Sequence, residues 1–194
     1  MDFRPLFRDL GRTLLYALPE GIIFALIIIS AAIIIKRKSL KSFFSVFVRK
    51  MKSRKYILIF IFLVYLFIIL YRTLFSRSND YEPLASVFEG WITTTNGYNE
   101  VNYEVIGNIG MFIPFSFLLL SAFGNNFSMK KAIYYSVIAS FSLSAFIELN
   151  QLIFKCGTFQ ISDLVYNTLG GILGSLIFVL TVKIRNKKRR KPNK

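Results

Sequence analysis

Six polar side chains lie inside long apolar stretches of the sequence. They are Asn108, Ser144, Glu148, Gln151, Asp163 and Asn167. A bilayer offers no water to satisfy such groups, so a charged side chain in this setting is by default a candidate functional residue. Two carboxylates could act as general acid and base, and together with amide oxygens they could bind a hard cation. Glu148 and Asp163 are therefore the strongest candidates for functional residues among the six.

Helical spacing arranges five of these residues on two stripes. Ser144, Glu148 and Gln151 follow i, i+4, i+7 spacing, and Asp163 and Asn167 are four residues apart, so each set lies on one helix face. Both sets lie toward the same end of consecutive antiparallel helices, which predicts one outward-facing polar cluster. Hydrogen bonding that only holds the helices together is the alternative, particularly for the amides.

The elements that carry these residues are apolar enough to be membrane spans. Hydrophobic residues make up 54% of the 194, and the mean hydropathy is +0.52, whereas about 45–50% is usual for soluble domains. Five stretches can cross about 30 Å of hydrocarbon. They run from Leu14 to Ile35, Tyr56 to Phe75, Val105 to Phe123, Ala132 to Phe154 and Leu164 to Ile184. We predict an all-α, polytopic membrane helical bundle with five transmembrane helices, the first of which is too long for a signal peptide.

The basic residues indicate how these helices are oriented. The net charge of +15 would also suit a nucleic-acid binder, but nine lysines and arginines lie between Lys36 and Lys55, and eight lie between Lys183 and Lys194. Basic segments beside apolar stretches follow the positive-inside rule and attract anionic lipid headgroups. We therefore predict membrane lipids rather than nucleic acid as partners, with the N-terminus outside the cell and the C-terminus in the cytoplasm.

Other chemistry is limited by what the sequence lacks. There is no histidine, which excludes imidazole catalysis and ordinary zinc sites, and the one cysteine, Cys156, cannot form an internal disulfide. We predict no cofactor and no dedicated metal-ligand set.

The sequence also predicts local structure in three further segments. The part of the basic linker from Ser39 to Val48 is either an amphipathic helix at the inner membrane interface or a plain connector. The acidic, aromatic loop from Ser76 to Glu104 is expected to re-enter the membrane in part or to rest on the outer interface, which favours Trp and Tyr. Gly170 and Gly174 form a GxxxG step that predicts close packing against a neighbouring span.

Three separated segments of the sequence resemble the VanZ family of small bacterial membrane proteins, named for a teicoplanin-resistance determinant. They are Asn108–Phe115, Phe146–Gln151 and Ile161–Gly171, each on its own span and in the family's order. The resemblance covers about Tyr56 to Ile184, which predicts a first part at residues 1–55, a VanZ-like membrane domain at 56–184 and a basic tail at 185–194.

The resemblance also assigns characteristic polar positions. They fall on Asn108, Pro114, Glu148, Gln151, Asp163 and Asn167. Many relatives have an arginine in the short loop before the Asp block, where this sequence offers only Lys155. A further segment of the family, which contains proline, is matched loosely by residues 80–84.

These observations favour two functions over a third, an ion-coupled carrier with Glu148 as its protonation site, for which five spans leave little room. The resemblance implies a Gram-positive cell-envelope protein that lowers susceptibility to teicoplanin-like lipoglycopeptides, with the antibiotic or a lipid-linked cell-wall precursor as the partner. The alternative is a membrane enzyme that acts on a lipid or lipid-linked substrate, with Glu148 and Asp163 as acid/base or metal-orienting carboxylates. The sequence leaves open whether the protein is an enzyme.

The charge distribution predicts the sidedness of both termini. Protease or antibody access to terminal tags on intact cells should reveal the N-terminal tag, whereas the C-terminal tag should become accessible only after permeabilisation. Protection of both tags in intact cells would contradict the predicted five-span orientation.

Overall fold

The computed structural model describes residues 4–37, 43–75, 92–95, 98–101, 103–124, 127–155 and 160–189. In this part of the chain, five helices are long and apolar enough to cross a membrane. The predicted number of spans and the all-α membrane class are confirmed. The chain divides into two compact units, Met1–Arg77 and Ser78–Lys194.

The first unit consists of three helices. They are α1 (Arg4–Arg37), α2 (Phe43–Met51) and α3 (Arg54–Leu70), which continues into a π-helical turn (Tyr71–Phe75). The Ser53 side chain caps α3 by accepting a hydrogen bond from the backbone N–H of Tyr56, which satisfies one of the N–H groups that a helix start leaves unpaired.

The basic linker contains an amphipathic helix, α2. Its Val46 is buried against Ile29 and Ile33 of α1, whereas Phe44 and Val48 are exposed on other faces. The helix of this alternative is therefore present at residues 43–51, and its position at the inner membrane interface stays a prediction. Residues 39–42 of the predicted segment lie outside the described residues.

The second unit contains the remaining three long helices and a short hairpin. They are β1 (Ile92–Thr95), β2 (Tyr98–Val101), α4 (Tyr103–Phe123), α5 (Met129–Phe154) and α6 (Ile161–Arg189). The two strands pair antiparallel, with Thr95 opposite Tyr98. This hairpin was not predicted within the long loop, and the expected interfacial contacts of the loop's aromatic side chains lie outside the described residues.

Helix α6 packs on α4 through glycines. A Cβ built on Gly170 would meet the carbonyl oxygen of Ile109 and lie 2.9 Å from the Cβ of Phe112, and one on Gly174 would meet the carbonyl oxygen of Ile113. The absence of side chains at these two positions lets the helix backbones approach closely. The GxxxG step is thus a packing surface within the chain, as predicted.

This packing predicts that Gly170→Ala destabilises the folded protein. The added methyl group must push α6 away from a backbone carbonyl, which cannot move as a side-chain end can, and we expect a loss of about 1–3 kcal/mol. Thermal unfolding of the purified protein in detergent measures the effect.

Gly107→Ala is the matched control, because a Cβ at Gly107 of α4 meets nothing within 4 Å. It should leave the unfolding midpoint unchanged or raise it slightly, since alanine favours helix over glycine by roughly 0.5–1 kcal/mol. Equal effects of the two substitutions would contradict close packing at Gly170.

Candidate functional site

One face of α5 carries a regular line of buried polar side chains. Ser136, Ser140, Ser144 and Glu148 follow one another at four-residue intervals, and Gln151 continues the line. All five side chains are between 0% and 2% exposed. Because residues four apart lie on one helix face, this polar stripe of α5 points into the second unit rather than toward lipid.

Two hydrogen bonds join the polar stripe of α5 to α6. The backbone N–H of Gln160 donates to Oε2 of Glu148 at 2.9 Å, and Nδ2 of Asn167 donates to Oγ of Ser144 at 2.8 Å. Since Glu148 is one turn beyond Ser144, the two bonds form successive rungs between the helices.

A third contact joins the stripe to α4. The hydroxyl oxygens of Ser140 and Ser116 are 3.1 Å apart and share a hydrogen bond. Gly171 of α6 lies beside this pair, because a Cβ at Gly171 would meet the Ser140 hydroxyl and lie 3.1 Å from Oγ of Ser116. All three helices of the unit therefore converge on the stripe.

Glu148 supports the beginning of α6. The helix begins at Ile161, so Gln160 occupies the cap position, and the carboxylate of Glu148 accepts an N–H group that α6 cannot pair internally. The N–H of Asp163 donates to the Gln160 carbonyl at 3.2 Å. The acceptor for the Gln160 N–H therefore comes from α5.

Asp163 lies in the first turn of α6 and is 6% exposed. Negative charge is favourable there, since the N-terminal end of a helix carries partial positive charge. Lys155, which ends α5 in a left-handed conformation with φ of 54°, is exposed. The carboxylates thus lie in the interior, whereas this nearby cation lies at the surface.

The structure places the six sequence-predicted residues in two settings. Ser144 and Asn167 are bonded to each other, and Gln151 lies on the same stripe. The carboxylate of Glu148 accepts from the backbone N–H of Gln160, whereas Asp163 contacts Gln160 through its own backbone N–H. Asn108 lies on α4, half-buried, and its Nδ2 is buried without a hydrogen-bond partner among the described residues.

Comparisons with known proteins support the family resemblance found in the sequence. The VanZ/LLP1 family model matches residues 23–182. The chain belongs to the VanZ/LLP1 family. It is also 36% identical over 86 residues to "Protein VanZ" of Enterococcus faecium, a match that covers 44% of this chain and 50% of that protein. The chain thus spans half the length of this VanZ relative, and no solved structure matches.

The VanZ/LLP1 match begins inside α1 and includes the basic linker and α2. The sequence resemblance was expected to begin near Tyr56, after those elements. The division between residues 55 and 56 stays a prediction.

Sequence reasoning missed several polar residues of this VanZ/LLP1 protein. Continuing the four-residue period backward from Ser144 would have found Ser140 and Ser136. Ser116 lies between Phe115 and Phe117 in α4 and forms no polar stripe with other residues of that helix, so only the fold reveals its partner. Gln160 takes part through its backbone, which no sequence motif reports.

The site can hold its polar side chains in fixed orientations, but it is closed to solvent. Its carboxylates and amides are almost fully buried, so a substrate would not reach them in this conformation. Among the described residues, no group of three or more Asp, Glu or Cys side chains is arranged to hold a metal ion.

The Gln160 contact predicts different consequences for two substitutions of Glu148. Glu148→Leu removes the acceptor and leaves a buried N–H unsatisfied, which costs about 1–3 kcal/mol. Glu148→Gln keeps an acceptor oxygen and should cost much less. Thermal unfolding of the two purified variants distinguishes them, and equal destabilisation would contradict a capping role of Glu148.

Proposed function

We propose that this VanZ/LLP1 protein lowers susceptibility to teicoplanin-like lipoglycopeptides from the outer side of the cell membrane. The observation that carries the proposal is the family match over residues 23–182, supported by the relative "Protein VanZ". The polar cluster at the α5–α6 end is the part of the second unit that we assign to this role.

The charges of α5 and α6 support an outward position for the cluster. Lys130 and Lys131 lie in the first turn of α5, and α6 ends in a basic segment from Lys183 to Arg189. These two helix ends lie on the same side of the membrane, since the helices are antiparallel spans. The positive-inside rule assigns that side to the cytoplasm, so the opposite end, with Glu148 and Asp163, faces outward.

The buried geometry favours a positioning role for the cluster. Its polar atoms hold α5 and α6 together instead of forming an open surface. The outer ends of both helices, with the Lys155 turn between them, would then be the surface that meets the outer leaflet, where a lipid-tailed antibiotic acts. The alternative, an enzyme that uses Glu148 as acid or base, requires an opening that exposes a carboxylate now 2% exposed.

The proposal predicts that Glu148→Gln and Asp163→Asn each raise teicoplanin susceptibility to that of cells lacking the protein. Both changes keep the side-chain shape and the hydrogen-bonding capacity, so a loss of function would show that the carboxyl groups themselves are needed beyond holding α5 and α6 together. The double variant should be no more susceptible than either single variant, as expected for residues that act as a unit. Susceptibility is measured alongside the amount of folded protein in the membrane.

Glu104→Gln is the control, because it makes the same chemical change at an exposed carboxylate in the first turn of α4. It should leave susceptibility unchanged. Partial losses that add in the double variant and follow a falling protein amount would show that the cluster only stabilises the fold.

A further inference from the structure

A groove lies between the residues that connect α4 to α5 and the last third of α6, at the opposite end of the second unit from the polar cluster. Its volume is about 160 Å³, and most of its lining is apolar, including Phe127 before α5 and Phe178 and Val179 of α6. Lys183 lines the same groove. An apolar cavity of about 150 Å³ already holds benzene, so this lysine-lined groove has room for part of an acyl chain.

The lining of the groove changes from apolar to basic along α6. Lys183 lies 22 residues after Ile161, where α6 begins. At about 1.5 Å per residue this length of helix exceeds the hydrocarbon thickness of a bilayer, which is about 30 Å. Phe178 and Val179 lie about one turn deeper. The lysine is therefore at the level of the lipid headgroups, whereas the apolar lining is at the level of the acyl chains.

The segments that form this end of the second unit carry lysines but no acidic residue. The sequence has no Asp or Glu at residues 105–147 or 164–194. Exposed lysines lie at this end of α5 and α6, namely Lys130, Lys131, Lys183, Lys187 and Lys188. Because these segments supply no carboxylate to pair with the lysines, the end of the unit attracts anionic headgroups.

We propose that the lysine-lined groove binds one anionic phospholipid, whose phosphate contacts Lys183 and whose acyl chain lies along Phe127, Phe178 and Val179. Basic pockets between membrane helices bind anionic headgroups in this way. The apolar lining adds contacts with the chain that a free phosphate ion cannot make. The site goes beyond the proposed resistance role, because it lies at the other end of α5 and α6 from the polar cluster and uses none of its residues.

The test compares lipids on the full chain. The protein is purified in a mild detergent and freed of lipid, and mass spectrometry of the intact complexes gives the Kd of the first bound lipid. Phosphatidylglycerol should bind about tenfold more tightly than phosphatidylcholine with the same acyl chains, because only the former has a net negative charge. Glycerol phosphate, which has the phosphate without the chains, should not bind at concentrations at which phosphatidylglycerol saturates.

Variants of exposed lysines assign the binding to the groove. Lys183→Gln should weaken the binding of phosphatidylglycerol about fivefold, which is the contribution of one lysine near a lipid surface, and Lys183→Arg should retain it. Lys188→Gln is the matched control, because Lys188 is five residues further along α6, on another face, and does not line the groove. Its effect should stay within about twofold, since exposed charges away from the lipid are screened.

Three results would overturn the proposal. Equal affinities for phosphatidylglycerol and phosphatidylcholine would reject selection of the anionic headgroup. Equal losses in Lys183→Gln and Lys188→Gln would show a general attraction to the basic end of α6. Binding of glycerol phosphate as tight as that of the lipid would show a phosphate site to which the apolar lining contributes nothing. The lysines are exposed, so these variants should fold as the wild-type protein does.

Discussion

Hydrocarbon provides no hydrogen-bond partners, and the polar stripe of α5 brings at least five polar side chains into a membrane span. Each is therefore costly unless it is satisfied inside the second unit. The rungs from Ser144 to Asn167 and from Glu148 to the Gln160 backbone satisfy two of these side chains and fix the position of α6, whereas Oγ of Ser136 is buried without a hydrogen-bond partner among the described residues. Without them, α6 would present a polar face to lipid, and the arrangement of the α5–α6 end would be lost.

The same requirement explains why small residues lie opposite the stripe. Hydroxyl and amide bonds of 2.8–3.1 Å between helices need close backbones, and Gly171 leaves the space beside Ser140 and Ser116. Gly170 and Gly174 do the same against the α4 backbone. Packing and polar satisfaction are thus two aspects of one interface, in which van der Waals contact and hydrogen bonding replace the hydrophobic effect that drives soluble folding.

The features that depend on a local sequence pattern could be predicted. Apolar length identified five spans, and i, i+4 spacing brought Glu148 onto one stripe with Ser144. The partners of that stripe depend on which faces of three helices meet, so the Ser140–Ser116 pair and the Gln160 backbone contact could not be read from spacing. The hairpin of β1 and β2 was missed because the loop was judged by length and charge, although Asn96-Gly97 between threonine and tyrosine is a hairpin signal.

The central claim is that the polar stripe of α5 faces α6 at Ser144 and Asn167, and cross-linking tests it most directly. In a Cys156→Ala background, Ser144→Cys with Asn167→Cys should react with a short bifunctional thiol reagent in membranes, and intact mass should show one linker joining both thiols of a chain. Ser142→Cys with Asn167→Cys is the matched control, since Ser142 lies on an exposed face of α5. Efficient linkage of position 167 to 142 but not to 144 would contradict the account.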